Sequence, residues 1–124
     1  MILAVACGGA LGALGRHLLG LGALQLFGPA FPWGTLAANV IGSLAMGVLV
    51  EFGALRLSVS NEWRGFFAVG LLGGFTTFSA FALDVALLTG RQAELLALLY
   101  AAASVVLSIG ALFAGMRGVR RLLA

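Results

Sequence analysis

The segment that decides the fold is Gly73-Gly74-Phe75-Thr76-Thr77-Phe78-Ser79, which lies inside the third of four long apolar stretches. Each of two adjacent glycines weakens a helix interior by about 1 kcal/mol relative to alanine. Irregular backbone at bilayer depth persists only where it is buried in protein or lines a watery cavity. The segment therefore predicts a break in a membrane-spanning helix, where freed amides or carbonyls can bind ions.

The composition indicates that the whole chain is embedded in a membrane. Of its 124 residues, 62% are hydrophobic and only 9% are charged, and the mean hydropathy is +1.15. A soluble domain of this size needs many more charges on its surface. We predict one integral membrane domain over residues 1–124, all-α, with a broken third helix. Four stretches exceed the roughly 20 residues that cross a bilayer, near 2–27, 33–53, 62–89 and 93–116.

The charges predict a topology rather than a nucleic-acid partner. The net charge is +3, from seven arginines and no lysine. With four spans, both chain termini lie on one side of the membrane, and by the positive-inside rule that side is the cytoplasm. We therefore expect a multi-pass protein of the plasma (inner) membrane, surrounded by lipid. The arginines on the predicted cytoplasmic side are Arg56, Arg64, Arg117, Arg120 and Arg121.

Polar side chains recur at every fourth position of two spans, so each set shares one helix face. Two such tracks on different helices predict a lined path across the membrane. The alternative is hydrogen bonding between helices, worth about 0.6 kcal/mol per bond on average. The tracks are Thr35, Asn39 and Ser43 in the second span and Tyr100, Ser104 and Ser108 in the fourth.

Single residues add to this prediction. The amide of Asn39 offers two donors to an anion, and it is costly in a span unless it is satisfied. Arg16 is the charged residue of the first span and is either functional or extends to the interface. The ring edges of Phe75, Phe78 and Phe81 carry a partial positive charge that suits an anion, although packing explains their spacing equally well. Glycines of the first span, Gly8, Gly9, Gly12 and Gly15, predict close approach of another helix.

The sequence resembles the Fluc (CrcB) family of fluoride channels. The resemblance covers all four spans and is most specific in the third. It is carried by Gly8-Gly9-Ala10-Leu11-Gly12-Ala13 up to Arg16, by Pro32-Trp33-Gly34-Thr35-Leu36 through Asn39, Gly42 and Ser43, and by Gly70 with the segment from Gly73 to Phe81.

The resemblance implies an antiparallel, dual-topology dimer with two pores that exports cytoplasmic fluoride passively. It implies that Phe78 and Phe81 line the pores and that Asn39 contacts the anion. It also implies one structural sodium ion at the dimer centre, held by the backbone carbonyls of Gly73 and Thr76. The anion pathway expected on this basis comprises Arg16, Thr35, Asn39, Ser43, Phe78, Ser79, Phe81, Tyr100, Ser104 and Ser108.

Two features depart from the family pattern. Ala80 replaces the usual hydroxyl residue between the two motif phenylalanines. The arginine bias favours one orientation, whereas an antiparallel dimer needs both. Either a homodimer overcomes this bias or the chain pairs with an oppositely oriented sister subunit.

Other functions have weaker support in the sequence. A small four-helix secondary transporter of the multidrug-exporter type needs a titratable carboxylate at mid-depth, and the acidic residues lie toward span ends. A non-transporting assembly subunit would explain the small-residue stripes but not the glycine break. An enzyme is not expected, because the sequence shows no nucleophile–base pair, metal cluster or phosphate loop.

Overall fold

The computed structural model describes residues 1–55 and 59–123, and these contain helices and short connections without a β-strand. Arg56, which contributes to the predicted charge bias, lies outside the described residues. The helices are α1 (Ile2–Phe27), α2 (Trp33–Leu55), α3 (Asn61–Arg64), a π-helix (Gly65–Leu72), α4 (Gly73–Phe75), α5 (Ser79–Gly90) and α6 (Glu94–Leu123).

Four helical segments are long and apolar enough to cross a membrane, which confirms the all-α prediction. They are Ile2–Phe27, Trp33–Leu55, Asn61–Gly90 and Glu94–Leu123. The last of them runs well past residue 116, where we predicted the fourth span to end. The third span combines α3, the π-helix, α4 and α5.

The helix boundaries follow from local chemistry. The Ser60 hydroxyl accepts a hydrogen bond from the Trp63 amide at 3.2 Å and caps the start of α3. Gly28 ends α1 with a φ of 77°, a conformation that glycine adopts without steric cost. Contacts between Gly34 and Gly20 and between Tyr100 and Asp84 show that the second span runs opposite to the first and the fourth opposite to the third.

Glycines bring the helices into backbone contact, as the first span predicts. A methyl group at Gly12 would collide with the Leu71 carbonyl oxygen and lie 2.8 Å from the Phe75 amide nitrogen. α2 and α6 meet in the same way, because Cβ atoms at Gly47 and Gly115 would strike the backbone of the opposite helix. Such close approach gives dispersion contacts that replace the hydrophobic driving force missing in lipid.

The buried core is small. Leu36, Leu88, Ala97 and Tyr100 form one cluster between α2, α5 and α6. Most other large apolar side chains, such as those of Leu98 and Val106 on α6, are exposed. These surfaces suit contact with lipid or with another protein chain.

A buried carboxylate joins two helix ends. Glu51 of α2 accepts hydrogen bonds at 3.0 and 3.2 Å from Arg120 of α6. The carboxylate is almost fully buried while the arginine side chain is more than half exposed. The fork geometry of the guanidinium satisfies both carboxylate oxygens, so this pair fastens the ends of α2 and α6 together.

Candidate functional site at the helix break

The chain leaves helical geometry between α4 and α5. The Thr76 amide still donates to the Leu72 carbonyl at 3.0 Å, and the Thr76 hydroxyl donates to the same oxygen at 2.9 Å. Thr76 itself has φ −84° and ψ 155°, which is extended backbone. Helical geometry resumes at Ser79. We refer to Thr76 to Phe78 as the break.

Asn39 of α2 binds the backbone of the break from the side. The Thr77 amide donates to Asn39 Oδ1 at 2.7 Å, and Asn39 Nδ2 donates to the Thr77 carbonyl at 2.9 Å. One side chain therefore satisfies both backbone groups of Thr77. One of the two amide hydrogens expected to face an anion is already used, which leaves one for a ligand.

Two further side chains hold the break. The Thr77 hydroxyl accepts from the Ala80 amide at 3.1 Å and caps the start of α5. Arg16 of α1 donates through Nε to the Gly74 carbonyl at 3.3 Å. Arg16 therefore contacts the helical turn that directly precedes the break.

These contacts divert hydrogen bonds that a straight helix would contain. In a continuous helix the Thr77 amide would donate to Gly73, and the Ala80 amide would donate to Thr76. Asn39 and the Thr77 hydroxyl take these two donors. Among the described residues, the carbonyls of Gly73 and Thr76 then have no hydrogen-bond donor. They are the two groups expected from the family resemblance as sodium ligands.

The opposite side of the break carries unpaired donors. The amides of Phe78 and Ser79 begin α5 and have no carbonyl partner in the described parts of the chain. A helix N-terminus has a partial positive charge of about half a unit, which favours anions. One break thus presents carbonyl oxygens at the end of α4 and amide hydrogens at the start of α5.

A cleft of about 460 Å³ lies beside the break, and most of the residues predicted for the anion pathway line it. Ser104 is only 6% exposed, and its hydroxyl oxygen and that of Ser108 are buried with no hydrogen-bond partner among the residues that the structure describes. Buried hydroxyls are normally paired, so these two are available to a ligand. The lining residues are Asn39, Ser43, Gly73, Thr76, Thr77, Phe78, Phe81, Ser104, Val105, Ser108 and Ile109.

The three phenylalanines have different surroundings. Phe78 is 79% exposed, and its ring centroid lies 5.5 Å from that of Phe81 in the cleft wall. Phe75 instead packs between helices: Cβ atoms built on Gly15 and Gly42 would lie 3.5 and 3.3 Å from its ring. The structure thus places Phe78 and Phe81 together and assigns packing to Phe75.

Some predicted residues lie outside this cleft. Ser79 is exposed, with its hydroxyl 3.4 Å from that of Thr77. Thr35 is half-buried and does not line the cleft. Tyr100 is fully buried, and its ring centroid lies 5.3 Å from that of Phe81. Its hydroxyl donates to Asp84 Oδ2 at 2.9 Å.

Sequence reasoning missed two participants. Thr77 acts through its backbone and as a helix cap, and neither role has a sequence signal beyond a hydroxyl next to the glycines. From the sequence, Asp84 is one of the acidic residues that lie toward span ends, whereas in the structure it accepts the Tyr100 hydroxyl. A carboxylate within a membrane span is a functional candidate by default, and that rule would have found it.

The donor set at the break suits a hard cation. Within residues 1–55 and 59–123, no three His, Cys, Asp or Glu side chains come together to hold a metal ion. The unpaired carbonyls of Gly73 and Thr76 are hard oxygen donors of the kind that small alkali and alkaline-earth ions prefer.

The fold and the cleft define a small multi-pass membrane protein in which polar hydrogen-bond donors line a cleft beside the break. Residues 3–116 match the family described as CrcB-like protein, Camphor Resistance (CrcB). The chain belongs to the CrcB family, which confirms the resemblance seen in the sequence.

Its relatives are similar over nearly their full length. It is 54% identical over 124 residues to the "Fluoride-specific ion channel FluC" of Rhodospirillum centenum, which covers 100% of this chain and 98% of the relative. It is 57% identical over 122 residues to the protein of the same name from Chelativorans sp., with 98% of each chain covered. The protein of that name from Agrobacterium fabrum is 53% identical over 112 residues, 90% of each chain.

Proposed function

We propose that this protein is a fluoride-selective ion channel that lets cytoplasmic fluoride leave passively across the inner membrane. Family membership supports this function, and the relatives carry the names of channels rather than enzymes. The observation that carries it is the cleft at the break, where buried hydroxyls without partners lie beside Asn39 and two phenylalanine rings.

Each lining group would replace part of the hydration shell of the anion. The Ser104 and Ser108 hydroxyls can donate to it, and so can the remaining amide hydrogen of Asn39. The edges of Phe78 and Phe81 add a weak positive potential. The residues that line the cleft carry no full charge, so an ion can enter without being trapped. Arg16, bound to Gly74, would add a longer-range attraction for anions.

A sodium ion fits the carbonyl side of the break. Gly73 and Thr76 would hold it through the backbone oxygens that their diverted donors leave unpaired. The ion would supply a fixed positive charge and a bond between subunits. Side-chain changes at Thr76 should then matter less than loss of backbone shape.

We propose that the functional unit is an antiparallel, dual-topology dimer in which the third membrane helix is broken at its centre. Phe78 is largely exposed in the single chain, and a methyl at Gly73 would meet only the Ala68 carbonyl oxygen, at 3.5 Å. This open surface suits a second chain that presents its own break. A homodimer is the simpler assembly; a sister subunit is the alternative that the arginine bias leaves open.

The exporter alternative has less support. A proton-coupled transporter needs a free carboxylate in its binding chamber, but Arg120 binds Glu51, and Asp84 accepts the Tyr100 hydroxyl. Neither carboxylate lines the cleft at the break.

The decisive experiment is ion efflux from liposomes that contain only this purified chain. We expect rapid fluoride efflux and negligible chloride efflux under the same gradient. That result would establish both the function and a homomeric channel. Absence of fluoride efflux from a monodisperse dimer would contradict the proposed function. Efflux that appears only after addition of a sister chain would assign a heterodimer.

The proposed dimer and sodium site are tested at Gly73. Gly73→Val should leave the single chain folded, because among the described residues a Cβ at Gly73 meets the Ala68 carbonyl oxygen at 3.5 Å, an ordinary van der Waals distance. It should abolish dimerisation and flux by crowding the partner and restricting the backbone. Gly110→Val is the matched control, since a Cβ there has nothing within 4 Å. An active Gly73→Val dimer would refute the central-ion proposal. Thermal stability of the wild-type dimer should also be higher in sodium than in potassium.

A further inference from the structure

A second, smaller cleft lies at the far end of α5, where the chain turns into α6. Its volume is about 320 Å³. The cleft carries two opposite charges within an otherwise apolar wall. It is lined by Pro29, Pro32, Asp84, Leu87, Leu88 and Arg91.

The second cleft is connected to the first through a chain of contacts. Phe81 lines the first cleft and packs on Tyr100, with a centroid separation of 5.3 Å. The Tyr100 hydroxyl donates to Asp84, which lines the second cleft. The Tyr100–Asp84 pair thus stands between the two clefts.

Arg91 is positioned over this cleft by fixed contacts. Its Nη2 donates to the Ala30 carbonyl, in the α1–α2 connection, at 3.2 Å. The turn that carries it is held by the Gln92 amide, which bonds the Thr89 carbonyl at 3.0 Å. Gln92 adopts a left-handed φ of 59°. The hydrogen bond to Ala30 therefore positions the Arg91 guanidinium at the second cleft.

The carboxylate of Asp84 would repel an anion in this cleft unless a positive charge nearby offsets the repulsion. Arg91 shares the cleft with Asp84, yet in the described ranges the salt bridge with direct contact is the one between Arg120 and Glu51. Arg91 and Asp84 therefore line one cleft without direct contact between their charged groups. Exposed charges separated by more than about 10 Å are screened at 0.1 M salt but interact at about 0.01 M.

We propose that the second cleft is a mouth of the anion path, and that Arg91 offsets the charge of Asp84 there and raises the local concentration of fluoride. The proposal rests on the proposed channel function and adds a positioning residue for ion entry. In an antiparallel dimer each membrane face would present one such mouth, so the effect does not depend on how the channel is oriented.

The test measures fluoride efflux from liposomes at low and high ionic strength, at constant fluoride gradient and with an impermeant salt. Arg91→Gln should lower efflux about two- to fivefold at low ionic strength, the size expected for one solvent-exposed charge. The loss should vanish at high ionic strength. Arg91→Lys keeps the charge and should restore wild-type efflux. Asp84→Asn keeps a hydrogen-bond acceptor for Tyr100 and removes the opposing charge, so efflux of the double variant with Arg91→Gln should return towards the wild-type rate.

Each other outcome overturns the proposal. A loss that persists equally at high ionic strength, or that Arg91→Lys shares, would show that Arg91 acts by holding the connection at Ala30. Unchanged efflux in Arg91→Gln at low ionic strength would show that the charge has no role. Wild-type liposomes separate these results from failure of the channel assignment, since they must conduct fluoride in the same assay.

Discussion

The seam between α2 and α6 and the break in the third span use the same backbone chemistry for opposite purposes. At the seam, Gly47 and Gly115 let two intact helices touch, and the carbonyls they approach belong to continuous helices. At the break, Asn39 and Thr77 take amides away from the carbonyls of Gly73 and Thr76. The seam satisfies its backbone and excludes ligands, whereas the break leaves backbone groups unpaired.

The glycines differ in the same way. A Cβ atom at Gly47 would collide with the backbone of Leu112, but one at Gly73 has room within the chain. Glycine at the seam is required by close packing inside the subunit. Gly73 has room within the subunit, and we propose that an ion and a second chain outside the subunit are what require glycine there. The contrast separates variants that damage the fold from variants that damage conduction.

The largest expected effect is at the seam. Gly47→Ala places a methyl against backbone atoms that cannot rotate away, so we expect a loss of about 3 kcal/mol, the upper end for overpacking. Gly110→Ala on α6 is the matched control and should be neutral or slightly stabilising, because alanine favours the helix. Thermal unfolding of the purified variants in detergent measures both. Equal stability of the two would mean that the seam is less tight than its geometry indicates.

The next effect is at Asn39, which connects the two regions. Asn39→Leu removes both hydrogen bonds to Thr77 and leaves its half-buried N–H and C=O groups unpaired, at about 1 kcal/mol for each group, the lower end for such a loss. Fluoride efflux per folded dimer should fall at least tenfold. Ser43→Ala, one turn away in the same cleft, is the control and should lower efflux much less. A folded Asn39→Leu dimer with normal efflux would limit Asn39 to a role in helix packing.

The phenylalanines should separate conduction from packing. Phe78→Leu keeps apolar volume at an exposed position but removes the ring edge, so we expect normal stability with efflux lowered about fivefold. Phe81→Leu should also reduce efflux. Phe75→Leu should lose about 1 kcal/mol of stability, because it packs between Gly15 and Gly42, while its efflux per dimer stays near normal. Normal efflux in both Phe78→Leu and Phe81→Leu would eliminate the ring-edge mechanism.

The smallest effect is expected at the unpaired hydroxyls. Ser104→Ala removes a buried oxygen that has no hydrogen-bond partner in the described part of the chain, so stability should stay the same or rise slightly. If the hydroxyl serves the anion, efflux should still fall about two- to threefold. Ser108→Ala should behave alike. Efflux and unfolding are measured on the same preparations, and unchanged efflux in the double variant would exclude these serines from the path.

The sequence by itself determined the class of the protein and most members of the site. Length and hydropathy were sufficient for four helical spans, because a bilayer sets the length of an apolar helix. The four-residue spacing placed Asn39 with Ser43, and Ser104 with Ser108, because helical periodicity is local. Those four residues line one cleft in the structure. The glycine pair itself is helical and lies in α4, and the non-helical residues Thr76 to Phe78 follow it.

Only the tertiary structure decided what each group does. The partners of Asn39, Arg16 and Tyr100 are 38, 58 and 16 residues away along the chain. No local pattern encodes such pairings, because they depend on how the helices are placed side by side. The same holds for the carbonyls of Gly73 and Thr76, which have no hydrogen-bond donor within residues 1–55 and 59–123. Asn39 and the Thr77 hydroxyl take the two amides that would otherwise pair with them. The first of these contacts depends on how α2 packs beside the break.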